Sequence, residues 1–511
     1  MKNDGFLDII KPYTQEIIMH YRSTRDTNLS LTAAETIARG LSREGGLFVP
    51  ESIPQIDRKF LSSLVNCSYA ERSAAVMKLY LADFTDEELA QYTRAAYANF
   101  DTESAAPLHR LDENTSFMEL WHGPTCAFKD IALQILPYLL TASLRKTSES
   151  KKVCILVATS GDTGKAALEG FKDVDGTAIL VFYPRDGVSD VQKLQMQSQQ
   201  GSNVSVCGVE GNFDDAQTGV KQIFSDPVFA EKLAEKGWFL SSANSINWGR
   251  LLPQIVYYIS AYCDLLKEGK IAMGEEISFC VPTGNFGDIL AGYYAKQMGL
   301  PVKRLICASN SNDVLTEFFH TGTYNRNRPF FTTVSPSMDI LISSNLERLL
   351  FEASGKDAAY ITSLMDSLKN DGCYSVTDAI REKLDGLFWA GCCDEESTKT
   401  QIGKVWQDHQ YLMDTHTAVA HNVLGQYRKE EGASEQVVVV STASPYKFCG
   451  AVLEGLGREV SGDGLSEIAE LEAYTGVTAP KPLSALRSAK VRFSGSVEKE
   501  QMEKVVSDFL K

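Results

Sequence analysis

The sequence has no long hydrophobic run, no low-complexity tract and no excess of positive charge. The most apolar helical segment, residues 251–266, is interrupted by Pro253, Gln254 and Asp264, so no segment offers the roughly 20 apolar residues of a membrane span. The first residues carry acidic side chains early and lack the basic-then-apolar order of a signal peptide. We therefore expect a cytoplasmic protein without a membrane partner.

Basic residues are outnumbered, since 50 Lys and Arg against 66 Asp and Glu give a formal net charge of −16. A protein this acidic is poorly suited to neutralise a phosphate backbone, so no nucleic-acid partner is expected. Recognition of a small phosphorylated molecule would require local positive potential from helix N-termini and a few basic side chains.

The eleven cysteines include no CxxC pair and no Cys/His spacing typical of a metal centre. Their odd number and their scatter fit a reduced intracellular protein better than a disulfide framework. We expect neither a bound metal nor structural disulfides.

A chain of 511 residues is too long for one ordinary core, so more than one domain is expected. From residue 152 short apolar strands alternate with helices, which is typical of parallel sheets with helices on both faces. We predict an α/β fold with two doubly wound parallel-sheet domains, a ligand site in the cleft between them and a mainly helical N-terminal domain. The predicted domains are residues 1–100 (N-terminal), 101–270 (smaller α/β) and 271–511 (larger α/β, with a helical insertion near 343–404 that has no clear strand).

Lys129 follows a Gly-Pro turn in the segment WHGPTCAFKDIALQ. Apolar residues at helical spacing follow it, which places Lys129 near the start of a helix. The positive end of the helix and the apolar neighbours Phe128, Ile131 and Cys126 should lower the pKa of its amine. A neutral lysine attacks carbonyl groups, as a Schiff-base lysine must. Taken alone, the segment fits an ordinary surface lysine more often.

A hydroxyl-rich turn, TSGDTGKAA, follows the apolar strand VCILVA. It is not a P-loop, because Thr159 stands where that motif needs Gly and Ala166 where it needs Ser or Thr. The free N–H groups of the following helix, with the hydroxyls of Thr159, Ser160 and Thr163, suit a carboxylate or a phosphate. A simple helix cap explains the segment equally well.

A second turn, TGNFGD at residues 283–288, lies between a strand and a helix. Its two glycines let backbone N–H groups converge on one anion. The pattern is not GxGxxG, so a single phosphate fits better than a dinucleotide. Because a carboxylate would repel that phosphate, we expect the Asp288 side chain to cap the helix.

Two further segments are ambiguous on their own. In NSINWGR, Arg250 beside Asn244 and Ser245 could bind a second phosphate, or it could be an exposed arginine at the start of a helix. After the strand QVVVV, the hydroxyl of Thr442 in STASPYKF could hydrogen-bond a heteroaromatic nitrogen, or it could simply end the strand.

Taken together and in their order along the chain (the Lys129 segment, SGDTG, NSIN with Arg250, GNFGD and STASPYKF), these five motifs resemble threonine synthases, pyridoxal-phosphate enzymes of fold type II, the group of tryptophan synthase β and threonine dehydratase. The segment YRSTRDTNLSLTAAETIARGLSREGGLFVPESIP is also similar to the N-terminal part of that family. The resemblance implies a cofactor, pyridoxal 5′-phosphate, bound covalently by Lys129. It implies a cofactor-phosphate loop of Gly284, Asn285, Phe286, Gly287 and Asp288, with Thr442 facing the pyridine nitrogen. It implies a substrate site of Thr159, Ser160, Asp162 and Thr163 around the α-carboxylate, and Asn244, Ser245 and Arg250 at the substrate phosphate.

The resemblance further implies a reaction in which O-phospho-L-homoserine and water give L-threonine and phosphate. A threonine-synthase-like phospho-lyase that releases 2-oxobutyrate could carry the same motifs, and another lyase of this fold type is a further alternative. A non-catalytic binding protein is disfavoured because Lys129 is present. We expect a monomer or a homodimer.

Overall fold

The computed structural model describes residues 19–159, 161–185, 188–460 and 462–511. The start of the predicted N-terminal domain, residues 1–18, therefore lies outside the described part. The α-helices, numbered in chain order, are α1 Ala33–Arg39, α2 Arg58–Leu64, α3 Tyr69–Lys78, α4 Asp86–Tyr97, α5 Lys129–Leu133, α6 Leu136–Lys146, α7 Asp162–Phe171, α8 Asp190–Gln197, α9 Phe213–Ser225, α10 Pro227–Glu235, α11 Trp248–Lys267, α12 Gly287–Met298, α13 Val314–Thr321, α14 Leu346–Ala353, α15 Ala358–Asn370, α16 Asp378–Asp385, α17 Glu395–His409, α18 Thr415–Glu431, α19 Cys449–Gly455, α20 Gly464–Thr475, α21 Lys481–Ser484 and α22 Met502–Phe509.

The strands are short and mostly buried. They are β1 Tyr21–Ser23, β2 Phe48–Pro50, β3 Leu108–Arg110, β4 Thr115–Glu119, β5 Lys152–Ala158, β6 Thr177–Pro184, β7 Val204–Val209, β8 Trp238–Ser241, β9 Ile277–Pro282, β10 Val302–Ser309, β11 Thr323–Asn325, β12 Cys373–Ser375, β13 Phe388–Cys392, β14 Val437–Ser441 and β15 Ser496–Val497. Single turns of 3₁₀ helix occur at Pro336–Met338, Pro445–Lys447, Ala485–Ser488 and Lys499–Gln501.

The N-terminal section is mainly helical, as predicted, with one antiparallel pair of strands, β1 and β2. The helices start where the sequence supplies capping boxes, in which a Ser or Thr side chain and a Glu three residues later satisfy each other's backbone N–H groups. Three helices begin this way: α1 at Thr32, α3 at Ser68 and α4 at Thr85.

Two parallel sheets carry the rest of the chain. One has five strands in the order β15-β7-β6-β5-β8, all parallel. The other has six strands in the order β13-β10-β9-β14-β4-β3, and in it only the edge pair β3-β4 is antiparallel. The predicted α/β class with two parallel sheets is confirmed.

The region near 343–404 is not purely helical, so the expectation of a stretch without strands was wrong. It contains β12, which pairs with β11, and β13, which forms the edge of the six-stranded sheet beside β10. The pairing partner of β13 lies about 80 residues earlier, and the five-residue strand has no local signal strong enough to reveal it.

Each of the two large sheets contains strands from both sides of the predicted domain boundary at residue 270. Strands β3 and β4, from the first side, join the six-stranded sheet, and β15, from the second side, joins the five-stranded one. The division into three domains stays a prediction.

The central element is α11, which packs against α12, α3 and α5. Of its 20 residues 17 are buried, so it is enclosed by protein around nearly its whole circumference, as an internal helix is. It connects the N-terminal helices to the six-stranded sheet and carries Arg250 in its first turn.

No helix in the described ranges is both long and apolar enough to cross a bilayer.

Candidate active site

Lys129 is the first residue of α5, as the sequence predicts. The turn before it is held by Asp130, whose carboxylate accepts hydrogen bonds from the backbone N–H of Thr125 at 2.8 Å and from its hydroxyl at 2.7 Å. Gly123 is required here because a Cβ would lie 2.5 Å from the Asp130 side chain. The helix ends at Leu133 and α6 begins at Leu136, because Pro137 has no N–H with which to continue the ladder.

The amine of Lys129 is weakly basic, which confirms the predicted direction. Its pKa is lowered to about 8, mainly by burial; Asp162 and Asp288 oppose this shift, whereas Arg250 and Lys447 contribute to it. The side chain is only 11% exposed. The two nearby cations were not foreseen, and they add to the desolvation expected from local neighbours.

The glycine turn at 284–288 begins α12. Phe286, directly before the helix, is in the left-handed region with φ of 64°, and no side chain caps the N-terminus of α12 there. A Cβ on Gly284 would lie 2.7 Å from the carbonyl oxygen of Ser337, so this close approach needs glycine. The result is a backbone cradle of the kind that holds a phosphate.

Asp288 does not cap the helix, so that expectation was wrong. Its carboxylate oxygen Oδ1 accepts hydrogen bonds from the hydroxyls of Tyr257 at 2.5 Å and Tyr258 at 2.8 Å. Burial raises the pKa of Asp288 to about 6, although the two tyrosine hydroxyls and Lys129 oppose the rise. The carboxyl is therefore drawn away from the cradle and toward α11.

Arg250 is buried, with 2% exposure, so the alternative of an exposed helix-start arginine is excluded. One Nη1 hydrogen bond goes to the carbonyl of Ala243, whereas the buried Nε has no partner among the described residues. Burial lowers the pKa of Arg250 to about 10, and in the described ranges no carboxylate forms an ion pair with it. A buried, unpaired guanidinium is costly unless an anion reaches it.

The turn that precedes α11 is accessible to solvent. Asn244 is exposed and Ser245 is half-buried. Ser245 accepts a hydrogen bond from the side chain of Asn345 at 3.3 Å, and the same amide nitrogen reaches the carbonyl of Asn285 at 3.0 Å. Asn345 therefore joins the two segments that the sequence assigned to two different phosphates.

At the turn before α7, the hydroxyl oxygen of Thr159 accepts from the backbone N–H groups of Gly161 and Gly164, both at 3.0 Å. This is the helix-cap geometry. Ser160 lies outside the described residues, and Thr163 is half-buried in the first turn of α7.

The Asp162 carboxylate is already occupied. It lies 2.6 Å from the ammonium of Lys447 and accepts from the side-chain amide of Gln192 at 2.8 Å. Burial alone would raise the pKa of Asp162, but Lys447 and Lys129 hold it below its ordinary value. A charged carboxylate held this way repels a substrate carboxylate, so the Asp162 side chain is not suited to bind one.

Thr442 is buried directly after β14. Its carbonyl oxygen accepts from the N–H of Phe128 at 2.8 Å, which places it beside the Lys129 turn. The end of β14 and the start of α5 thus form one corner of the site.

Three functional neighbours were missed by sequence reasoning. Lys447 lies in the quoted STASPYKF motif, but a lysine there gave no sign that it would be buried. Ser343, whose hydroxyl donates to the carbonyl of Gly284 at 2.7 Å, and Asn345 lie at the start of the region to which no feature was assigned. No spacing pattern in the sequence could have revealed Ser343 and Asn345, because the residues to which they donate hydrogen bonds lie about 60 residues earlier in the chain.

These residues fit pyridoxal phosphate. A weakly basic lysine suits its aldehyde, the cradle at the start of α12 suits its phosphate, and buried Arg250 has no carboxylate partner in the described part of the chain. Two parallel sheets with a lysine between them, together with this donor set, define a pyridoxal-phosphate-dependent enzyme of fold type II.

The comparisons specify the family within that class. The model for pyridoxal-phosphate-dependent enzymes matches residues 101–443, that for the threonine synthase N terminus matches 20–97, and that for the threonine synthase C-terminal region matches 417–505. The chain belongs to the threonine synthase family, within the larger family of pyridoxal-phosphate-dependent enzymes.

Similarity to known proteins of this family extends over nearly the whole chain. The threonine synthase of Pseudomonas aeruginosa is 40% identical over 86% of this chain and 91% of its own. The crystal structure of a PLP-bound threonine synthase from Brucella melitensis has a TM-score of 0.86 at 37% identity, covering 96% of this chain and 100% of that one. Human threonine synthase-like 1 is 40% identical over 93% of this chain, which spans 66% of the length of that relative.

Proposed function

We propose that the protein converts O-phospho-L-homoserine and water to L-threonine and phosphate. The observation that supports this most directly is the buried Arg250, a guanidinium without an anionic partner among the described residues that is close enough to Lys129 to lower its pKa. With the cradle at the start of α12 it provides two anion sites beside one nucleophilic lysine, as a phosphorylated cofactor and a phosphorylated substrate together require.

The proposed cofactor site consists of Lys129 for the aldehyde, the backbone of Gly284–Asp288 for the phosphate and the Thr442 hydroxyl for the pyridine nitrogen. The proposed substrate-phosphate site consists of Asn244, Ser245 and Arg250. For the substrate carboxylate we propose the turn of Thr159, Ser160, Asp162 and Thr163, with backbone N–H groups at the start of α7 other than those of Gly161 and Gly164 as donors. The Thr159 hydroxyl already caps those two N–H groups, and the Asp162 side chain is paired with cations.

Each residue then has one task. Lys129, with its low pKa, can take a proton from Cα of the substrate near neutral pH. Loss of a second proton, from Cβ, supplies the electron pair that expels the γ-phosphate, and Arg250 and the turn before it hold that phosphate and stabilise its developing charge. Pyridoxal phosphate, when bound, supplies the electron sink for the pair of electrons left at Cα. The cleft walls exclude stray water until water adds at Cβ.

The test is incubation of the purified, cofactor-loaded protein with O-phosphohomoserine while phosphate, threonine and 2-oxobutyrate are measured together. Equal amounts of threonine and phosphate support the proposal. Phosphate with 2-oxobutyrate would instead indicate the phospho-lyase, and no phosphate release would reject both activities. Lys129→Ala is the control, and it should release none of the three.

A further inference from the structure

Asp162 lies between two lysines at different distances from its carboxylate. Its Oδ1 is 2.6 Å from Nζ of Lys447, whereas its Oδ2 is 3.9 Å from Nζ of Lys129. The first distance is that of a tight, charge-assisted hydrogen bond, and the second is at the limit of an ion pair.

Lys447 is fixed in place independently of Asp162. Its side chain is fully buried, and its ammonium also donates to the carbonyl oxygen of Thr125 at 3.0 Å, in the turn that precedes Lys129. The other side of Asp162 is fixed as well, because Gln192 donates to Oδ1 at 2.8 Å and Ser337 donates to Oδ2 at 3.3 Å. Lys447, Gln192 and Ser337 thus hold the carboxylate from three directions, and none of them draws it toward Lys129.

We propose that Lys447 is a positioning residue: by occupying the Asp162 carboxylate, it prevents that carboxylate from forming a tight ion pair with Lys129. This inference rests on the proposed role of Lys129 as the cofactor-binding lysine. A tight pair would keep the Lys129 amine protonated, and a protonated amine can neither attack an aldehyde nor take a proton from a substrate.

The charged groups around Lys129 support this assignment. Asp162 faces it from α7, Arg250 from α11, Asp288 from α12 and Lys447 from the 3₁₀ turn after β14. Asp288 is drawn to two tyrosines of α11, so Asp162 is the carboxylate best placed to capture Lys129 if Lys447 is removed.

The variant Lys447→Met, which keeps the length and loses the charge, tests the proposal. In the cofactor-free full-length protein, reductive methylation of Lys129 is followed by peptide mass spectrometry as a function of pH. The midpoint should move upward by roughly one to three pH units, the size of effect of a nearby opposite charge. In the cofactor-loaded protein, the pH midpoint of the cofactor absorbance and the acid limb of kcat/KM should move in the same direction.

Lys165→Met is the matched control. Lys165 lies on the same helix as Asp162, is 12% exposed and pairs with Glu169 at 3.1 Å. Its loss should leave the Lys129 midpoint unchanged. An unchanged midpoint in Lys447→Met, or an equal rise in the control, overturns the proposal.

The double variant Lys447→Met/Asp162→Asn separates positioning from general structural support. If Lys447 acts through Asp162, the midpoint of the double variant should return to that of Asp162→Asn alone. A difference of a full pH unit between these two would overturn the proposal, and the comparison stands even if Lys447→Met alone does not fold. Methylation needs no turnover, so failure of the proposed reaction leaves this result readable.

Discussion

Asn345 donates from its side-chain amide to the backbone carbonyl of Asn285 at 3.0 Å. Its carbonyl oxygen accepts from Nη1 of Arg348, which also donates through Nε to the carbonyl of Phe48 at 2.8 Å in the N-terminal strand pair. The glycine cradle is therefore tied, through two side chains, to the N-terminal section of the chain.

Asn345→Ala should weaken binding of cofactor and substrate together. The side chain loses one neutral hydrogen bond to each segment, and each contributes about 1 kcal/mol. It also loses the hydrogen bond that it accepts from Arg348. We expect the cofactor Kd and the substrate KM each to rise roughly fivefold. Fluorescence titration of the cofactor and steady-state kinetics measure the two constants, with Asn422→Ala on α18 as the control. A rise in one constant alone would mean that Asn345 supports only one segment.

Arg250→Ala should lower kcat/KM for O-phosphohomoserine by roughly 10- to 200-fold. A charge-assisted hydrogen bond to phosphate contributes about 1.5–3 kcal/mol, and about 1.36 kcal/mol is tenfold in rate. Both kcat and KM should change if Arg250 also stabilises the leaving phosphate. The absorbance of the bound cofactor should persist, because the cradle at the start of α12 is separate.

Arg72→Ala is the matched control for Arg250. Arg72 is an equally buried arginine, but it pairs with Asp264 at 2.7 Å, away from the site. Its loss should lower Tm and leave both kinetic constants near their original values. Normal kinetics in Arg250→Ala would reject Arg250 as the substrate-phosphate ligand, and loss of cofactor would assign it to the cofactor or the fold.

Covalent uptake of pyridoxal phosphate should follow the pKa of Lys129. Burial lowers that pKa to about 8, so the neutral amine, which is the nucleophile, accumulates as the pH rises through 8. The uptake rate, followed by stopped-flow absorbance of the cofactor-free protein, should increase up to about pH 8 and then level off. Borohydride reduction followed by peptide mapping should label Lys129. A rate that still rises above pH 9, or a label on another lysine, contradicts the assignment.

Thr442→Asp should change the cofactor spectrum and the activity far more than Thr442→Ser. A hydroxyl leaves the pyridine nitrogen largely unprotonated, whereas a carboxylate would hold a proton on it. Absorbance spectra and kcat/KM of the two variants provide the comparison. Equal behaviour of both variants would place Thr442 away from the ring.

Lys129 was predictable because its determinants are local. The Gly-Pro turn and the apolar spacing after it lie within about ten residues, and they fix the start of α5 at Lys129. The strands β5, β6, β9, β10 and β14 were equally predictable, because each contains a short apolar run of the kind that parallel sheets bury on both faces.

The other features of the site depend on residues that are distant in the sequence. The Asp288 carboxylate turned away from the cap position because Tyr257 and Tyr258, about 30 residues earlier, offer it two hydroxyls. Whether Arg250 is exposed or buried depends on the packing of α11 and not on the residues next to it. Asn345 received no role because nothing in its own neighbourhood reveals that Asn285 and Ser245 meet it.

The six-stranded sheet pairs strands that lie far apart in the sequence, which affects the order in which its parts fold. Strand β4 is completed by β14, and the hydrogen bond from Trp121 to Ser441 spans 320 residues. During synthesis the β3-β4 hairpin therefore emerges long before the strand that covers its edge, and an uncovered edge pairs with other chains. We expect slow refolding and a strong concentration dependence of its yield, because such long-range contacts must close late. The corner that holds Thr442 against the Lys129 turn is thus among the last parts of the molecule to form.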